Sequence, residues 1–293
     1  MTVLPELNFL DADAMIEVFE QAADLMHSSL LRRGSTVHLP GRGRLLATGD
    51  VHDYPGHLEA IIRISELESS ADHHVMLHEL IHGENLVDGM DVSYRNLAIV
   101  AELVKRFPLQ VHPLLANHEL AQCHGMSVSK GGGDQVAMFD DGLDYVFGDR
   151  AEEVATAIRE FILAMPLVLR TENGLWCSHS IPGREDFDQS AFDRNLTTDD
   201  YRPPSGTAWC TVWGRLQDPE HVRKLLSRLR AKLFVVGHCY AEMGIESPVE
   251  GLLVINSDHG RGVVVPVNLE CALPSTESLI HSAIPLVLYR ALY

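Results

Sequence analysis

Nowhere in these 293 residues is there an apolar run close to the roughly 18 residues that a membrane-spanning helix needs. The longest apolar stretches are strand-sized, and no membrane partner is expected. Residues 1–20, MTVLPELNFLDADAMIEVFE, are acidic and lack both the basic start and the apolar centre of a signal peptide. Cysteine is sparse: five residues (123, 177, 210, 239 and 271), odd in number and without a CxxC pair, which argues against a disulfide framework. These two features together point to a reducing, cytoplasmic setting. Basic residues are few as well, 23 Lys and Arg against 41 Asp and Glu, and the net charge of −18 argues against nonspecific attraction to nucleic acid. A local cationic or metal-lined cleft could still bind phosphate. The glycine-rich stretch GMSVSKGGGDQ (125–135) lacks the GxxxxGK[ST] order and reads as a surface loop. No repeat, linker or low-complexity tail divides the chain. One domain is expected over 1–293, with residues 1–40 as a helical lead-in and 266–293 as an extension packed on the body.

What the chain does have is 16 histidines, several of them beside Asp, Glu or Asn at the ends of short apolar runs. These runs are RLLATGDVHDYPG (44–56), HHVMLHELIHG (73–83), VHPLLANHE (111–119), GLWCSHSIPG (174–183), LFVVGHCY (233–240) and LLVINSDHGRG (252–262). Helical patterns separate the first three: HLEAIIRISELES after the first, and SYRNLAIVAELVKRF after the second, with Asp91 or Ser93 as its cap and Pro108 at its end. A helix also opens the chain over 11–33, where Met15, Val18, Phe19, Ala22 and Met26 repeat at helical spacing and Gly34 supplies a stop. Strands ending in polar loops and alternating with helices predict an α/β fold whose site lies at the strand C-termini.

Residues 75–83, VMLHELIHG, contain His-Glu-x-x-His, which on a helix would bring two imidazoles to one zinc as in metalloproteases. The preceding HHVML looks like a strand, however, and Asn85 stands where the long form of that motif has Gly. A protease reading also explains one run and leaves five unexplained.

Taken in order, the runs resemble the calcineurin-like metallophosphoesterases, and among them the PPP-type serine/threonine protein phosphatases. TGDVHDYPG is similar to the family's GDxHG, LHELIHG takes the place of GDxVDRG, and LLANHE that of RGNHE. Further along, AMPLVLRTENGLWCSHSIPG, VWGR, FVVGHCY and LLVINSDHGRG match its later blocks. The resemblance implies a β-sandwich of two mixed sheets flanked by helices (α/β/β/α) and a centre of two divalent ions. Mn²⁺ is the first choice, with Fe, Zn or Ni as alternatives.

On this resemblance Asp50 and His52 would hold one ion, Asn117, His179 and His238 the second, and Glu79 would bridge them in place of the family's Asp. His259 is a further candidate ligand. His118 would act as general acid, supported by His82 in the slot of the family's Asp, and Gly83 replaces a phosphate-binding Arg. Arg215 is the first candidate for phosphate, Arg184 the second. Oxygen and imidazole donors with one bridging carboxylate are what a two-metal hydrolase needs. The expected substrate is a phosphomonoester, on a phosphorylated protein or a small molecule; diadenosine polyphosphates are an alternative, as is a catalytically degenerate metal-binding module. His73, His74, His112 and the cysteines read as solvated or packing residues, 276–293 reads as packed on the body, and the oligomeric state is left open.

Overall fold

The computed structural model of the protein describes residues 4–54, 56–126, 129–130 and 133–289. The glycine-rich stretch at 125–135 and the end of the chain, with Leu292, therefore fall partly or wholly outside the described residues. Nine strands carry the architecture: β1 Thr36–Leu39, β2 Arg44–Thr48, β3 His73–His78, β4 Val111–Leu114, β5 Val168–Thr171, β6 Leu175–Ser178, β7 Leu233–Val236, β8 Leu252–Ile255 and β9 Val263–Asn268. One sheet runs Arg32–Arg33, β1, β5, β6, β7, β8, Ile245–Glu246; the other runs Ile284–Pro285, β9, β2, β3, β4. Both are mixed. β2, β3 and β4 are parallel, joined by helices, while β9 lies antiparallel to β2 and β5 antiparallel to β6.

The strands read as continuous apolar runs because both of their faces are buried. Leu45, Ala47, Leu175, Cys177, Leu233, Val235, Leu253, Ile255, Val263 and Val265 point between the sheets and form the sandwich core. Their alternates, Leu46, Trp176, Phe234, Leu252, Val254 and Val264, belong to a second core beneath the helices. The result is the expected stack of helix, sheet, sheet and helix.

The opening helix α1 (Ala12–His27) is capped by Asp11, whose carboxylate accepts from the amides of Asp13 and Ala14. Phe19 meets Phe161 of α6 (Ala151–Ala164) with ring centroids 5.4 Å apart. This helix stops earlier than the 11–33 periodicity suggests. The Ser28 hydroxyl bonds back to the Asp24 carbonyl at 2.8 Å, competing with the next turn, and Arg32–Arg33 become an edge strand. Residues 36–39 are likewise sheet rather than lead-in, as are 266–268 at the other end.

The other α-helices among the described residues are α2 (His57–Ser65), α3 (Tyr94–Arg106), α4 (Asn117–His124), α5 (Gln135–Phe147), α7 (Thr207–Val212), α8 (Pro219–Leu229) and α9 (Thr276–His281). In the C-terminal segment Leu279 and Leu286 are buried, but Val287 and Leu288 face solvent. Cys271 is also exposed, unlike the buried Cys123, Cys177 and Cys210.

Just beyond β2 the two sheets touch. Asp50 forms a bridge to His78 on one side and to Asn256 on the other. A side chain at Gly49 would strike the Ile255 carbonyl, so this close approach of backbones requires glycine.

Candidate metal centre

Every polar run ends at this junction, and the turns there are sharp. His52, Glu79, His82 and His238 all hold positive φ, between 47° and 63°. Non-glycine residues adopt that conformation at a cost, and its clustering marks a functional site.

Backbone carbonyls set the protonation of several rings. A carbonyl only accepts, so His78 carries its proton on Nε2, which donates to the Thr48 carbonyl at 3.1 Å. Its Nδ1 is then an acceptor, 3.0 Å from Nδ1 of His179. His179 donates there and keeps its Nε2 lone pair. That atom lies 2.5 Å from Asn117 Oδ1, 3.0 Å from His238 Nδ1 and 3.4 Å from Glu79 Oε2. By the same reasoning His52 donates from Nδ1 to the Ile81 carbonyl at 2.9 Å and turns its Nε2 lone pair toward Glu79 Oε1, 3.7 Å away, and Asp258, 3.9 Å away.

Burial favours the neutral form of His78, His179 and His238, the form that metal ligation requires. It is the main cause lowering His78 to about 4 and His238 to about 3, and it holds His179 well below the ordinary histidine range.

Three groups of donors converge: Asp50, His78 and His179; His52, Glu79 and His118; and Glu79, His179 and His238. Glu79 belongs to two of them. Its Oε1 faces His118 Nε2 at 3.2 Å and His52, while its Oε2 faces His179. The donor set is rich in carboxylate and imidazole and fits divalent cations. Asp50 is grouped with His78 and His179, and the His238 amide donates to its carboxylate at 2.8 Å. Gly237 makes room for this: a side chain there would overlap Asp50 and lie 2.5 Å from the His78 ring.

The centre forms the floor of a cleft of about 890 Å³ walled by Tyr54, Trp213, Arg215, Tyr240 and His259. Arg215 donates to the His238 carbonyl at 2.9 Å and is the cationic side chain among the described lining residues besides the histidines. Arg184 is exposed and pairs with Asp186. His259 lines the cleft but joins no donor group; both of its ring nitrogens face backbone, the Ala241 carbonyl and the Arg261 amide. Glu119 is buried beneath the centre, accepts from the Leu80 amide, and is raised to about 7 by burial.

The His-Glu-x-x-His pentad is not helical. His78 ends β3 and His82 sits at a positive φ, so the pentad does not form the helix that a metalloprotease arrangement needs. His82 lies beside His118, ring centroids 5.4 Å apart, and places its Nδ1 2.8 Å from Asp91. At Gly83 a side chain would lie 2.6 Å from the Asp53 side chain, leaving no room for the family's arginine without moving that loop.

Two residues escaped the sequence reading. His78 needs two sheets to find its partner, which no local pattern reveals. Asp91 is delivered by a hairpin of Leu86–Val87 and Met90–Asp91 whose turn is Asp88-Gly89, both at positive φ. An Asp-Gly pair is a strong hairpin signal and was there to be read.

Residues 43–239 match the sequence profile of the calcineurin-like phosphoesterases. No curated protein sequence matches the chain at a significant level. Among solved structures, a protein serine/threonine phosphatase from Saccharomyces cerevisiae with similarity to human phosphatase PP5 superposes with a TM-score of 0.65 at 16% identity, over 88% of this chain and 82% of that one. A cold-active protein-tyrosine phosphatase from a psychrophilic Shewanella species gives 0.51 at 12% identity, over 80% of this chain and 77% of its own.

Proposed function

The chain belongs to the calcineurin-like phosphoesterases and is a phosphoester hydrolase, and from that premise we propose that it is a phosphomonoesterase acting on phosphorylated protein, with the whole chain working as one catalytic domain in the cytoplasm. The observation that carries this reading is Glu79, whose Oε1 faces His52 and His118 and whose Oε2 faces His179, so that one carboxylate would serve two ions. Asp50, His52, Glu79, Asn117, His179 and His238 would hold the pair, manganese by preference. When bound, two divalent ions lower the pKa of water and offset charge on phosphate oxygens.

The protein's own groups do the rest. His118 stands with Nε2 toward Glu79, on the cleft floor, where it can deliver a proton to the departing oxygen. Arg215, at the rim, offers its guanidinium to the remaining phosphate oxygens. Phosphoprotein as substrate is supported by the open cleft and by the phosphatases of similar fold, named for Ser/Thr and Tyr substrates.

The test is p-nitrophenyl phosphate hydrolysis by metal-stripped protein resupplied with Mn²⁺, Zn²⁺, Fe²⁺, Ni²⁺ or Mg²⁺, with Asp50→Asn alongside. Turnover that depends on metal and falls by about two orders of magnitude or more in the variant is expected. Absence of turnover with every ion would leave a metal-binding module without catalysis. Phosphopeptides competing with the chromogenic substrate separate a protein phosphatase from a small-molecule esterase.

A further inference from the structure

The general acid proposed above has a neutral-capable ring, His82, where a carboxylate would best support it. A lone imidazole stabilises a neighbouring imidazolium poorly. His82 is not alone, however. It is completely buried, and its Nδ1 lies 2.8 Å from Asp91 Oδ2, itself buried. A carboxylate facing Nδ1 fixes the proton there and leaves Nε2 as the acceptor. That Nε2 is buried without a hydrogen-bond partner, and the ring beside it is His118. His118 in turn directs Nε2 at Glu79, and its ring centroid lies 5.4 Å from that of His82.

The support behind Asp91 is built from several elements. Its Oδ1 accepts from the Ser93 amide at 2.8 Å, and the Ser93 hydroxyl accepts from the His82 amide at 3.0 Å, so residues 91–93 clasp both the ring and the backbone of His82. On α5 a side chain at Gly142 would collide with the Asp91 carbonyl, which shows how closely that helix backs the hairpin. Phe139 of the same helix meets the His82 ring edge-on, 5.6 Å between centroids. The charged groups around the pair are Asp53, which interacts with both Asp91 and Arg95, and Asp140 across from His82.

We infer that Asp91 is a positioning residue that acts on His118 through His82: the negative charge a direct partner would supply sits one ring further back, held by a short hairpin. Asp91 fixes the tautomer and the ring of His82, and His82, packed beside His118, positions that ring in turn. The inference rests on the phosphoesterase reading.

Asp91→Asn tests it with two esters, p-nitrophenyl phosphate, whose leaving group needs little protonation, and phenyl phosphate, whose leaving group needs much. The expected result is a kcat loss of about ten- to a hundredfold on phenyl phosphate, a smaller loss on the nitro ester and unchanged KM. Asp91→Glu should recover part of the loss. In a His82→Asp background, where a carboxylate stands next to His118 directly, adding Asp91→Asn should change kcat little. Independently of turnover, nitrogen-resolved imidazole NMR of the metal-free protein should show His82 protonated at Nδ1 in wild type and shifted away from that tautomer in Asp91→Asn. Equal losses on both esters, or an unchanged tautomer, would overturn the relay while leaving the phosphoesterase reading intact. Wild-type protein inactive on both esters would overturn that reading, and the relay's catalytic role with it.

Discussion

At the scale of single residues, the proton arrangement around His179 decides which nitrogen can bind metal. His78 holds the key place: its Nε2 is committed to the Thr48 carbonyl, so its Nδ1 must accept from His179. Replacing His78 by Leu, a side chain of similar volume, removes that acceptor. The expected outcome is a metal affinity lower by about ten- to a hundredfold, measured by calorimetric titration of the metal-stripped protein, with the fold retained by circular dichroism. The candidate donor types were legible in the sequence because oxygen and imidazole side chains clustered at the ends of apolar runs. Their grouping was not. Asp50 and His52 are two residues apart, yet the left-handed turn at His52 sends them to different donor groups.

Among the elements, strands were easier to read than the ends of helices. Alternating burial toward a sandwich core and toward helices leaves the strands largely apolar, and six such runs mark themselves. The end of α1 depends instead on one hydroxyl, that of Ser28, and the hairpin carrying Asp91 on one dipeptide. Helix α1 also lies outside the stretch matched by the family profile, yet Met15, Phe19 and Ala22 are fully buried against the body. It is therefore part of the core rather than an appendage. Phe19→Ala should lower unfolding free energy by about 3–5 kcal/mol, because the Phe161 ring loses its partner and a cavity remains. Urea denaturation of the two proteins measures this, and metal binding at neutral pH should be unaffected, since α1 supplies no ligand.

For the molecule as a whole, acid is the condition that strains it. His112 lies buried with its Nε2 3.2 Å from His74, and burial, aided by His74, lowers it to about 3. The unfolded chain binds that proton near pH 6.5. Between those values the unfolded state holds one more proton, so stability falls as pH falls from about 6.5 toward 3, then levels off. Glu119 acts in the opposite sense: raised to about 7, it favours the folded state as pH falls through that value toward the ordinary carboxyl range. His112→Gln isolates the histidine and should flatten the acid limb by one proton, ~1.4 kcal/mol per pH unit. Thermal or urea midpoints across that range read it directly, and an unchanged slope would count against a neutral buried His112. The junction at Asp50 has a different consequence, one of timing in biosynthesis. A chain that has emerged from the ribosome only as far as residue 240 already displays His52, His78, His118, His179 and His238, but lacks Asn256, the partner that closes Asp50 against the second sheet. The centre is thus closed by a contact between residues some two hundred positions apart, and no single stretch of the growing polypeptide can form it alone.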